Sequence, residues 1–247
     1  MSSKQIFGSD SQPQMTNSDA YLLATNHFLA ERYVEAYQTC SAIILSNPNH
    51  IDAINLLGVI AQKIGRHDLA AEQFLKAINI NGNIAKLYFN LGTSLLPLER
   101  KTEAISCYKK AIELQPELPE FHYNLANILK SQKKFDKAIA SYKTAISIQP
   151  DFLDAHFHLG STLTECERFD EAIVCFQKSL AIKPDFPEAE HLLNALTNKT
   201  SASAPKEYVR GVFNSYADNF ESHLIKILEY KTPALIRDTI LDFRGED

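Results

Sequence analysis

The chain has 247 residues, 45% of them apolar, with a formal charge of −5 and only 8 glycines against 10 prolines. That length allows one elongated domain and part of another. The acidic balance excludes a nucleic-acid partner gripped through its phosphates along a basic stripe, and no apolar run approaches the ~18 residues that a membrane crossing needs. The first segment, MSSKQIFGSDSQPQMT, residues 1–16, reads as a polar, flexible leader with no apolar stretch of the secretory kind. Cys40, Cys107, Cys166 and Cys175 form no C-x-x-C pair and have no histidine at metal-ligand spacing. The expectation is a cytoplasmic protein with reduced thiols and no metal site.

From Asn17 the chain follows one rule. Prolines stand at 116, 150 and 184, steps of 34, and the step from Pro48 to Pro116 is twice that, with Gly82 at the missing beat. A period of this size marks stacked supersecondary units. With the proline at position 32, the units begin at Asn17, Ile51, Ala85, Pro119 and Leu153. Position 7 is leucine throughout (Leu23, Leu57, Leu91, Leu125, Leu159), and position 8 is always small (Ala24, Gly58, Gly92, Ala126, Gly160). Position 20 is always alanine, and position 24 reads Cys40, Phe74, Tyr108, Tyr142, Phe176.

This pattern predicts two antiparallel helices per unit. The small residue at 8 lets the second helix approach, alanine at 20 faces it, and positions 20, 24, 27 and 28 form one apolar stripe. Proline at 32 cannot continue a helix and marks the boundary. No unit buries enough surface alone, so stability comes from stacking on neighbours. Pro97, near the end of a first helix, predicts a short or bent helix there.

These residues resemble the tetratricopeptide repeat (TPR) over 17–186, five consecutive units; PEFHYNLANILKSQKKFDKAIASYKTAISIQP is close to the family pattern, and the unit holding His27 and Cys40 is the least regular. Residues 187–197, with PEAEHLLNALT, restart a first helix and read as a C-terminal cap. The resemblance implies an all-α fold, a right-handed superhelix whose first helices line a concave groove at positions 2, 5, 6, 9, 12 and 13. It further implies a protein-interaction scaffold that takes an extended peptide or protein partner. The groove candidates are Asn55, Lys86, Phe89, Asn90, Tyr123, Asn124, Asn127, Phe157 and His158. Asn90 and Asn124 share position 6, where amides carry both donor and acceptor for a peptide backbone. Phe89, Tyr123 and Phe157 share position 5, available either to grip apolar side chains or to pack between helices. His122 and His156, at position 4 of successive units, read as packing residues rather than metal ligands.

The rule stops at NKTSASAP, residues 198–205, a polar linker. In 206–247, Val209, Val212, Phe213, Tyr216 and Phe220 recur at helical spacing. The run YVRGVFNSYADNFESHL resembles the lead-in to a bacterial TPR-linked S-adenosylmethionine-dependent methyltransferase, read here as the truncated N-terminal helices of such a domain. The cofactor fold of that family needs a glycine-rich first turn, and no two of the glycines lie two apart. The expectation is therefore that this chain by itself holds no cofactor and has no catalytic residues, S-adenosylmethionine belonging to a longer parent. A further alternative is the TPR part of an O-linked N-acetylglucosamine transferase, which has an asparagine ladder like that of Asn90 and Asn124.

Overall fold

The computed structural model describes residues 16–197. The linker 198–205 and the methyltransferase-like segment 206–247 lie outside the described residues, as does the leader apart from Thr16. Among the described residues there are eleven helices and no strand. They are α1 (Asn17–Leu29), α2 (Tyr33–Ser46), α3 (Ile51–Lys63), α4 (His67–Ile80), α5 (Ala85–Leu95), α6 (Lys101–Leu114), α7 (Pro119–Ser131), α8 (Phe135–Ile148), α9 (Leu153–Glu165), α10 (Phe169–Ile182) and α11 (Pro187–Leu196). The fold is an all-α solenoid of helix-turn-helix repeats. The odd helices α1, α3, α5, α7 and α9 start 34 residues apart, and α5 ends at Leu95, two residues before Pro97.

The chain divides into two compact units, Met1–Thr162 and Leu163–Asp247. In the first, the hairpins α1–α2, α3–α4, α5–α6 and α7–α8 pack each on the next. Thr16 begins the stack. Its side chain accepts from the Asp19 N–H while Asp19 reaches back, a capping box that satisfies two of the free donors at a helix start. In the α3–α4 and α5–α6 hairpins the glycine at position 8 lies under the ring at position 24. A β-carbon on Gly58 would sit 2.6 Å from Phe74 Cε1, and one on Gly92 would sit 2.8 Å from Tyr108 Cε1. Phe74, Tyr108 and Tyr142 are fully buried.

The turn inside each hairpin is built the same way every time. The residue at position 15 is left-handed: Glu31, Gly65, Glu99 and Lys133, with φ between 57° and 76°. The next N–H then bonds five residues back, from Arg32, Arg66, Arg100 and Lys134 to the carbonyls of His27, Ala61, Leu95 and Leu129 at 2.8–3.0 Å. That is a Schellman closure, which satisfies carbonyls left open at the helix end. Only Gly65 has the residue type that takes this conformation without cost.

Between hairpins, the residue before position 32 is pushed to extended backbone, as expected before proline. Asn47, Gln115 and Gln149 have φ between −142° and −127°. Asn81, before Gly82, adopts the same conformation at −146°. His122 and His156 secure two of these turns. Their Nε2 atoms lie 2.8 and 2.9 Å from the carbonyl oxygens of Pro116 and Pro150. The histidines thus tie a first helix to the turn that leads into it.

In the second unit α10 packs on α11, and Ala172, Cys175, Phe176, Ser179 and Ala189 are buried. Glu167 is left-handed there too, and Arg168 N–H closes on the Leu163 carbonyl at 2.9 Å.

Candidate functional site

The sequence-predicted residues fall on the first helices of the Met1–Thr162 unit, and hydrogen bonds between successive hairpins fix how they face. Asn90 Nδ2 on α5 donates to Asn55 Oδ1 on α3 at 3.1 Å. Beneath them Gln62 Nε2 donates to the Asn90 carbonyl at 3.0 Å and to Ser94 Oγ at 2.8 Å. Asn90 is nearly fully buried, at 8% exposed, so its amide serves the junction between hairpins. Asn55 is half-buried, and its own NH2 has no partner among the described residues. Position 6 of one hairpin thus meets position 5 of the one before it.

The other two asparagines are oriented just as firmly. Asn124 Nδ2 donates to the Glu120 carbonyl of its own helix at 2.7 Å, which leaves Oδ1 as the presented atom. Asn127 Oδ1 accepts from the buried Tyr142 hydroxyl at 2.6 Å, and its side chain also hydrogen-bonds Tyr123, so Asn127 is spent within the fold. No hydrogen bond joins Asn90 to Asn124. The face therefore offers an NH2 donor at Asn55 and an acceptor at Asn124.

The aromatic residues mostly pack. Phe89 stacks on Phe121 at 4.8 Å between ring centroids and lies 5.5 Å from Tyr108. Tyr123 is surrounded by Phe152 at 5.0 Å, His158 at 5.7 Å and Tyr142 at 6.1 Å. Phe157 meets His158 edge-on at 5.5 Å. His158, enclosed by these rings, is held below the usual imidazole pKa by burial and then by the Lys130 ammonium, against an opposing pull from Asp154. Lys130 Nζ donates to Ser161 Oγ at 2.9 Å. Lys86 is exposed at the start of α5.

Tyr142, Tyr108, Gln62 and Ser94 were not among the sequence-predicted site residues. The sequence does hold a signal for the tyrosines. Where position 24 is Phe74, position 9 is apolar Val59; where it is Tyr108 or Tyr142, position 9 is Thr93 or Asn127. The hydroxyls reach those partners at 3.1 and 2.6 Å.

Two thiols are chemically quiet. Burial pushes Cys40 up to about 12. Cys107 rises to about 11, through burial first and the neighbouring Glu103 second. Thiols in this range are almost entirely protonated near neutral pH and poor nucleophiles. No helix of the described residues is long and apolar enough to cross a membrane.

Family models described as tetratricopeptide repeat match residues 51–84, 119–152 and 153–186, and one described as TPR repeat matches 99–133. The chain carries tetratricopeptide repeats. The 99–133 match covers α6 and α7, the second helix of one hairpin and the first of the next, so the repeat can be cut at either loop. Solved TPR folds are similar over most of their length. A crystal structure of MamA is 25% identical with a TM-score of 0.62, over 66% of this chain and 95% of that one. MamA from Desulfovibrio magneticus RS-1 is 16% identical with a TM-score of 0.63, over 69% and 97%. YrrB, described as a TPR protein with an unusual peptide-binding site, is 20% identical with a TM-score of 0.61, over 72% and 92%. Among curated proteins, the uncharacterized y4yS of Sinorhizobium fredii (strain NBRC 101917 / NGR234) is 34% identical over 88 residues, 35% of this chain. The match spans about half of that relative's length, 48%. All the matched repeats lie between 51 and 186, so the methyltransferase and glycosyltransferase readings gain no support from them.

Proposed function

We propose that the chain is a protein-interaction scaffold that holds an extended peptide segment along the first-helix face of α3, α5 and α7. One observation carries this reading. Two amides on that face are locked by protein partners so that each turns one unspent group outward: NH2 at Asn55 and Oδ1 at Asn124. An extended backbone carries alternating carbonyls and N–H groups, and fixed donors and acceptors recognise it without regard to sequence. Because the amides are already ordered, binding costs little further side-chain entropy. Lys86 and the half-buried rings of Phe89, Tyr123 and Phe157 add contacts for the peptide's side chains. The peptide-binding description of YrrB supports the class of partner.

The test is a peptide selected from a displayed library on the full chain, followed by its affinity for variants. Asn55→Ala with Asn124→Ala is expected to weaken binding by about tenfold or more while the melting profile is kept. Unchanged affinity in the folded double variant would overturn the reading.

A further inference from the structure

Asparagine stands at position 31 in two turns between hairpins, and the two sites are built alike. Asn47 and Asn81 end α2 and α4, and their N–H groups donate to the carbonyls of Ile43 and Ala77 at 2.8 and 3.0 Å. Both backbones are extended, at φ −140° and ψ 90° for Asn47 and φ −146° and ψ 101° for Asn81. Each Oδ1 accepts from the N–H two residues on, that of Asn49 at 3.3 Å and that of Asn83 at 3.0 Å, the local bond that asparagine makes in turns. Both side chains are exposed. The sites differ in the next residue, Pro48 in one and Gly82 in the other, and Asn81–Gly82 is the only Asn-Gly pair in the sequence. A proline nitrogen carries no proton and is closed into its ring. The Gly82 N–H is present and has no partner among the described residues. Every other asparagine between 16 and 197 precedes a residue with a β-carbon, which crowds the nitrogen that follows the amide.

We propose that Asn81 is a site of spontaneous covalent modification, in which the Gly82 backbone nitrogen displaces the Asn81 side-chain amide. The Gly82 N–H gives its proton to hydroxide, and the nitrogen attacks Asn81 Cγ. The new N–Cγ bond forms as Cγ–Nδ2 breaks, and Nδ2 takes a proton and leaves as ammonia. Water then opens the five-membered succinimide at either carbonyl. One opening gives aspartate; the other gives isoaspartate, whose backbone runs through the β-carbon and is one methylene longer. The net change is amide and water to acid and ammonia, with no oxidant or reductant. Because Asn81 is held extended, the ring closes when the turn rotates about the Asn81 Cα–C bond. Glycine leaves that rotation free of the restriction that proline places on the residue before it. Either product sets a carboxylate at the C-terminal end of α4, the negative end of the helix dipole. Isoaspartate also lengthens the turn that joins α4 to α5.

The test keeps the full chain folded for weeks in mildly alkaline buffer, then maps it by proteolysis and mass spectrometry. Asn47 is the reference within the same molecule. Aspartate and isoaspartate are expected to accumulate at 81 and not at 47, and the aged chain should melt at a lower temperature than the fresh one. Gly82→Pro, which gives this turn the residue of the other beats, should abolish the conversion and keep the melting temperature. A β-carbon there meets only the Tyr88 hydroxyl at 3.3 Å and the Ile78 carbonyl at 3.6 Å. If that variant does not fold, Asn81→Gln replaces it, since its ring would be one atom larger and slow to close. An intact Asn81 in the aged folded chain would overturn the proposal. So would equal conversion at 47 and 81, or conversion at 81 that continues in Gly82→Pro.

Discussion

Asn90 donates its side-chain amide to Asn55 Oδ1 at 3.1 Å, across the junction between α5 and α3. The bond does two things. It satisfies a donor that has left water, and it turns the Asn55 NH2 outward. Removing the Asn90 side chain leaves the Asn55 oxygen without its donor, while Gln62 keeps its bond to the residue-90 backbone carbonyl. Asn90→Ala is expected to destabilise the chain by about 1–2 kcal/mol, lowering the urea midpoint. A midpoint equal to that of the unaltered chain would mean that water replaces the bond at no cost.

The contact between positions 8 and 24 gives a second expectation. A methyl group on Gly58 would meet Phe74 Cε1 at 2.6 Å in a fully buried site. Gly58→Ala should cost about 1–3 kcal/mol. Phe74→Leu made together with it should recover part of that loss, because the shorter side chain yields the space. A double-mutant cycle measures the recovery, and strict additivity would show that the two residues do not compete for the same volume.

Lys133 holds a left-handed backbone at φ 58° in a turn whose counterpart is Gly65. Its side chain is exposed. Lys133→Gly should raise stability by about 0.5 kcal/mol, the relief of left-handed strain outweighing the added freedom of the unfolded chain. Thermal melting of the two proteins side by side reads this, and a lower melting temperature would contradict it.

These cases show what was legible in the sequence. The 34-residue period fixed where the first helices start, and the leucine at 7 and small residue at 8 marked the buried face. What the period could not show is which positions meet across hairpins. Neighbouring helices pack about 8–10 Å apart, so equivalent residues such as Asn90 and Asn124 lie too far apart to bond. Contact instead falls between unlike positions, as for Asn55 and Asn90 or Tyr123 and His158. The left-handed residues were hidden for another reason. Four of the five are glutamate or lysine rather than glycine, because the Schellman bonds and packing of the hairpin hold a conformation that the residue itself disfavours. The histidine–proline contacts at His122 and His156 were likewise readable only as packing until the turn placed the carbonyls.

His158 sets the pH response of the first-helix face. Its pKa in the folded chain lies below the ordinary imidazole value, so protonation favours the unfolded state. The stability it contributes is intact above about pH 6.5 and falls as pH drops from there towards the lower folded value. The groups facing it are Tyr123, Tyr142, Lys130 and Asp154. His158→Gln should therefore lose less melting temperature between neutral pH and pH 5 than the unaltered chain does. Parallel curves for the two proteins would assign the acid loss to carboxylates instead.

The central claim is that an extended peptide lies along α3, α5 and α7, held by the outward groups of Asn55 and Asn124. The most direct measurement is the side-chain amide resonances of the isotopically labelled full chain during titration with a selected peptide. The account predicts large shifts for the NH2 groups of Asn55 and Asn124 and little change for Asn90, which stays bonded within the junction. Binding that leaves the Asn55 and Asn124 amides unmoved would contradict it.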